Sequence, residues 1–374
     1  MKINRRSMIA AAAVLPALPA MARNTSATKG SWFDHAIIID ALGGLNDPYS
    51  DPETSRFSDK AIAEMRQTGV TMLRDTIMPV GNVADPWSNY REQADRFRQI
   101  FAANPDLLLH VRTAADIIKA KREKRFGVVV GTQDSCMIGS ELDRIAQLKK
   151  DGVLSIQLTY NNGNLAGDGA LEPRDAGLSK LGRATIERIE AEKILLDLSH
   201  GGARTMAEAA TFAKRPLVIS HTGARALTEH PRNTSDATIR AVADKGGVVG
   251  VYFMPFLSTD MKPSGEQLIA HIEHVANAAG EDHVGIGTDN GVMPQRFDES
   301  SKKAADDWTR ERIRLGIAAP GEAPGVYTVV SDYNSIDRYR RLSVDLGKRG
   351  WSQTRLEKLF GGSFLRTYKD AWGS

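Results

Sequence analysis

Apolar and polar positions follow two rhythms along this chain. Short, continuous apolar runs rich in β-branched residues occur at 36–40, 69–74, 107–111, 127–133, 154–160, 194–200, 216–221, 247–253 and 283–289. Runs of this kind read as strands buried on both faces of a parallel sheet. Segments with helical spacing stand between most of them, at 61–67, 86–103, 114–121, 142–150, 178–192, 236–245 and 265–279. Repeated βα units without a long antiparallel stretch predict an α/β fold, a single (β/α)8 TIM-type barrel. Nine runs are one too many, and 107–111 is set aside because the helix after it is short and highly charged. The rival is a doubly wound sheet, which wants a Gly-rich phosphate turn after its first strand. Ala41-Leu42-Gly43-Gly44 is not one. Residues 290–335 lack periodicity and hold Pro294, Pro320 and Pro324, so a long loop at the barrel mouth is expected there. Helices at 338–350 and 353–360 then close the domain.

In such a barrel the chemistry lies at the C-terminal ends of the strands. Those positions hold Asp40, Gln133 with Asp134, Tyr160, His200, His221 and Asp289. Two runs stand out, Ile194 to His200 and Pro216 to His221, each ending in Ser-His with one helix between them. Parallel strands joined by one helix put their ends side by side, so His200 and His221 become neighbours. A lone strand-end histidine is commonly only a satisfied polar residue. Two in one register, with a carboxylate at hand, suit zinc or a similar divalent ion with a position left for water. Asp289 could take that water's proton, and Tyr160 could donate to a developing oxyanion. Arg232, in the loop after the His221 strand, is either a clamp for a substrate carboxylate or an ordinary surface arginine.

Composition narrows this little. The chain has 374 residues and a net charge of +3 with Lys and Arg scattered, which excludes nucleic acid as a partner. Its start is different in kind. Arg5-Arg6, an apolar run from Ile9 to Leu18 and Ala20-Met21-Ala22 follow the order of a twin-arginine export signal. The expectation is a signal peptide over 1–22, a barrel domain over 23–374, a periplasmic or secreted destination, and no membrane span after cleavage. Cys136 is the only cysteine, so packing must do the work that disulfides do elsewhere.

Leu158 to Asn161 with Asn164, Asp197 to His200, Ser220 to Thr222, Pro231 to Asn233 with Asp236, Gly246 to Val249, His283 to Asp289 and Gly361 to Arg366 follow one another in an order that resembles the membrane (renal) dipeptidase family of zinc metallopeptidases. The resemblance implies a (β/α)8 barrel that hydrolyses dipeptides with a hydroxide between two zinc ions. It implies that His200 and His221 are ligands of the second zinc, that Asp289 handles a proton, and that Arg232 binds the substrate carboxylate. It also exposes departures. The family's His-x-Asp pair for the first zinc corresponds to Leu42 and Gly44, its bridging glutamate to Gln133, and its carbonyl-polarising histidine to Tyr160. Asp40, Asp47 and Asp134 are the carboxylates nearest those vacated positions.

The expectation is therefore an exported hydrolase with one zinc rather than two, on His200 and His221, with Asp289 either a further ligand or only the group that takes the proton. It would cleave a dipeptide-like amide beside a free carboxylate, and a homodimer is allowed. A non-catalytic binding protein and a hydrolase of another bond, such as a lactone, are the alternatives.

Overall fold

The computed structural model describes residues 32–51 and 53–373. The export-signal segment 1–22 lies outside the described residues. From Trp32 onward the chain forms one unit.

Eight barrel strands are laid down in chain order: β1 (Ile39–Asp40), β2 (Met72–Ile77), β3 (Phe126–Thr132), β4 (Val153–Gln157), β5 (Leu195–Asp197), β6 (Val218–Thr222), β7 (Val248–Val251) and β8 (Val284–Ile286). Each pairs in parallel with the next. Ala41 N–H donates to Ile286 O at 2.9 Å, linking the two ends of the series. This is the (β/α)8 barrel that the apolar runs predict. The ninth run is a short strand, Leu108–His110, which pairs with the first half of β3. β4 takes over pairing at Val130, where the register shifts. The strand is thus real but stands outside the barrel series.

Serine caps start the outer helices where the helical pattern begins. Ser58, Ser179 and Ser235 each accept a backbone N–H three residues on, at 3.2, 2.8 and 3.4 Å. Such caps satisfy donors that the first turn leaves bare. Inside the barrel, Ile39, Met72, Val129, Leu154, Leu195, Val218 and Val248 form an apolar layer with Phe364, Tyr368 and Trp372 of the last helix, Ser363–Trp372. Trp372 Nε1 donates to Leu154 O at 2.9 Å and pins that plug. The sequence reading stops its last helix at residue 360 and misses this one.

A polar layer also fills the barrel interior. Arg74 on β2 pairs with Asp197 on β5 and donates to Thr132 O at 2.7 Å. Burial alone would raise Asp197, but Arg74 and the Ser220 hydrogen bonds outweigh it and hold the carboxyl below its usual range. Gly250 and Gly287 serve the same level: a Cβ on either would fall 2.0 Å from the carbonyl oxygen of Ser220. Only glycine admits that backbone beside His221.

One expectation needs correcting. Residues 290–335 are not all loop, because Glu299–Arg314 is a helix of four and a half turns. None of its residues is fully buried, so it has no apolar stripe to betray it. An Asp298 cap and the pairs Lys303–Asp307, Arg310–Asp307 and Arg314–Glu311 support it instead.

Candidate active site

The ends of β4, β5 and β6 bring Tyr160, His200 and His221 together. The two imidazole rings lie 4.9 Å apart, centre to centre, at 64°, and Tyr160 stacks on His200 at 4.1 Å. Gln133, Arg232 and Asp289 join Tyr160 and His200 around a cavity of about 150 Å³, with Met78, Met254, Phe256 and Trp308 as apolar walls. His200 and Asp289 both sit in the left-handed region, at φ 65° and 58°, where non-glycine backbone is strained.

Hydrogen bonding fixes where the imidazole protons are. Asn161 Nδ2 donates to Ile317 O at 2.7 Å, so its Oδ1 is the atom facing His200 Nδ1 at 2.6 Å. That oxygen only accepts, so His200 carries its hydrogen on Nδ1. Ser220 Oγ spends its one hydrogen on Asp197 at 2.6 Å and must accept from His221 Nδ1 at 2.8 Å. Both rings are therefore left with a lone pair on Nε2. Both Nε2 atoms are buried and have no hydrogen-bond partner. Burial first, and the Arg232 guanidinium next, hold both rings well below the usual imidazole value, so they stay neutral.

Asp289 lines the cavity, and burial pushes its carboxyl up to about 7 against the opposing pull of Arg232 and Arg312. Arg232 is held by its own loop. Thr222 Oγ1 donates to its carbonyl at 2.9 Å, and its N–H donates to His230 Nδ1 at 3.2 Å. Its Nη2 is buried without a hydrogen-bond partner, a donor left unmet by the protein. Tyr160 OH accepts from Arg312 at 2.7 Å. Burial raises its phenol above the usual value despite that cation.

The remaining carboxylates are otherwise engaged. Asp40 accepts from Thr288 N at 2.8 Å, Thr288 Oγ1 at 2.6 Å and Tyr339 OH at 2.6 Å. Asp134 accepts from Gly81 N at 2.8 Å, Asn164 Nδ2 at 2.6 Å and Ser135 N at 2.7 Å. Asp47 accepts from the N–H and the hydroxyl of Ser58, the residue that caps the following helix. Among the described residues, no three of His, Cys, Asp and Glu gather closely enough to hold one metal ion. Asp289 therefore does not join His200 and His221 as a third ligand in this arrangement. Asn161, Arg312 and Glu322 escaped the sequence reading. The first lay within a motif that carried no role for it, and the others lay in the stretch read as loop.

Comparison with known proteins bears on the family and the fold. A family model described as membrane dipeptidase, peptidase family M19, matches residues 48–305, more than half of the chain. The dipeptidase verJ of Clonostachys rogersoniana is 25% identical over 277 residues, 74% of this chain and 63% of that protein. The chain thus spans about three fifths of that relative's length. The crystal structure of an amidohydrolase from Pseudomonas aeruginosa is 29% identical, with a TM-score of 0.77 over 91% of this chain and 98% of that one. A metallo peptidase from Rhodobacter sphaeroides, solved with a phosphinate mimic of the dipeptide L-Ala-D-Ala, is 17% identical. It shares the fold, with a TM-score of 0.72 over 90% of this chain and all of that one.

Proposed function

The chain belongs to the membrane dipeptidase family, peptidase family M19, and from that premise we propose that it is a metal-dependent hydrolase of dipeptide-like amides bearing a free carboxylate. One observation carries the reading: two buried imidazole lone pairs stand side by side with nothing to bond. Neutral Nε2 atoms of this kind would give one divalent ion such as zinc two of its ligands, the other positions going to water and substrate. A two-ion centre does not fit. Leu42 and Gly44 offer no donor, and the neutral amide of Gln133 cannot offset the repulsion between two cations. When bound, the ion would supply Lewis-acid activation at the scissile group.

The protein's own residues do the rest. Arg232 takes the substrate carboxylate on its unmet guanidinium edge and so fixes which amide faces the histidines. Tyr160 accepts from Arg312, which leaves its own O–H to donate to the carbonyl oxygen as charge develops there. Asp289, poised to titrate near neutrality by burial, accepts a proton during attack and returns it to the leaving amine. The Met78, Met254 and Phe256 walls keep the reacting groups dry.

The test is equilibrium dialysis with metal analysis beside a dipeptide hydrolysis screen in zinc, cobalt and manganese. One ion per chain, lost in His200→Ala together with activity, is expected. Two tightly held ions per chain, or full activity in His200→Ala, would overturn the reading. The departures at Leu42, Gly44 and Gln133 favour a second reading, a binding protein. It would show no turnover with any metal but would still gain thermal stability from a dipeptide.

A further inference from the structure

The chain beyond the family match, which ends at 305, returns over the barrel mouth and touches three of the residues just described. Arg312 Nη1 donates to Tyr160 OH at 2.7 Å. The carbonyl of Ile317 accepts from Asn161, whose other amide atom faces His200. The carbonyl of Pro320 faces His230 Nε2 at 2.9 Å, and His230 Nδ1 accepts from Arg232 N at 3.2 Å. A carbonyl oxygen only accepts, so His230 carries its hydrogen on Nε2, the opposite arrangement to His200.

The segment is stiffened from within. Glu322 accepts twice from Arg312, at 2.6 and 2.9 Å, and from Ala319 N at 2.9 Å. Arg312 and Glu322 are nearly buried, at 11% and 9% exposure, so the pair is shielded from water. A forked guanidinium–carboxylate pair with both oxygens engaged has little freedom left.

We propose that residues 312–322 are a clamp whose Arg312–Glu322 pair fixes the hydrogen positions on Tyr160, His200 and His230, and through His230 the place of Arg232. Arg312 is thus a positioning residue. With the phenol oxygen occupied as an acceptor, the phenol hydrogen is left to point into the cavity. With Ile317 O holding the Asn161 amide, His200 has one tautomer and an Nε2 lone pair. Removing the pair frees Asn161 to rotate, after which either ring nitrogen of His200 can carry the hydrogen. The importance of these side chains for turnover rests on the hydrolase reading, but the hydrogen arrangement does not.

Nitrogen-15 spectra of histidine-labelled, metal-free full-length protein test the clamp without substrate. His200 should report Nδ1–H and His230 Nε2–H. In Arg312→Ala and Glu322→Gln both should shift toward mixed tautomers, while His221, held by Ser220 outside the clamp, stays unchanged. Unaltered His200 and His230 signals in both variants would overturn the proposal. In hydrolysis assays Arg312→Ala should lower kcat about 10- to 100-fold with KM changed less than threefold, and Arg312→Lys should recover part of the loss. In a Tyr160→Phe background the Arg312→Ala loss should shrink. Fully additive losses, or a raised KM at unchanged kcat, would overturn the positioning role. Absence of turnover in the wild type with the expected tautomers present would defeat the hydrolase reading and leave the clamp standing.

Discussion

Arg74 reaches from one side of the barrel to Asp197 on the other, and Ser220 ties into both, accepting from Arg74 at 3.1 Å and donating to Asp197 at 2.6 Å. Ser220 in turn accepts from His221. The ion pair that braces the barrel therefore also sets the tautomer of a candidate metal ligand.

Breaking that pair from one side leaves a charge buried without its counterpart. Arg74→Met should cost about 3–5 kcal/mol of stability, read as a lowered midpoint in urea unfolding. Replacing Arg74 and Asp197 together by apolar residues should cost much less than the single change. An equal or larger loss in the double variant would show that the pair is not the brace.

Asp289 and Arg232 should fail in different ways. Asp289→Asn keeps the shape but cannot exchange a proton, so kcat should fall about 100- to 10,000-fold with KM little changed. Arg232→Met should mainly raise KM for substrates with a free carboxylate. For the corresponding carboxamide the variant and the wild type should be alike. A carboxamide cleaved as well as the acid by the wild type would remove Arg232 from its role.

One contribution to stability, that of Asp75, should fall as pH rises through mildly acidic values. Burial lifts its carboxyl from 3.8 to about 6, outweighing the Leu45 and Thr76 backbone bonds that pull it down. The folded state thus favours the protonated form. Its contribution is complete below about pH 4 and is lost as pH climbs through 6. The loss should reach at most about 3 kcal/mol. Between pH 4 and 7 the thermal midpoint of Asp75→Asn, taken relative to the wild type, should rise with pH, and a constant difference would refute this.

Much of the barrel is legible in the sequence because strands buried on both faces are written as unbroken apolar runs, and β3 is buried at every position. Their ends are then countable, which is how His200, His221, Tyr160 and Asp289 come to attention together. What stays hidden is of two kinds. Asp40 and Asp134 carry the right chemistry at strand ends, yet their oxygens are spent on residues distant in the chain, Tyr339 for the first and Gly81 and Asn164 for the second, which no local pattern reveals. The contact between Tyr160 and Arg312 spans 152 positions. It depends on a helix whose outward polarity makes it look like loop. The Ser363–Trp372 plug was obscured by the π-type turn at Lys358–Gly362 just before it.

His200 and Asp289 hold side chains in the left-handed region, which glycine adopts freely and other residues adopt at a cost. Each such position costs on the order of 1–3 kcal/mol, a cost that the His200 ring offsets by stacking on Tyr160 and donating to Asn161. Among the described residues of the barrel, the strained backbone thus sits at the cavity wall and nowhere deeper, since both residues line that cavity.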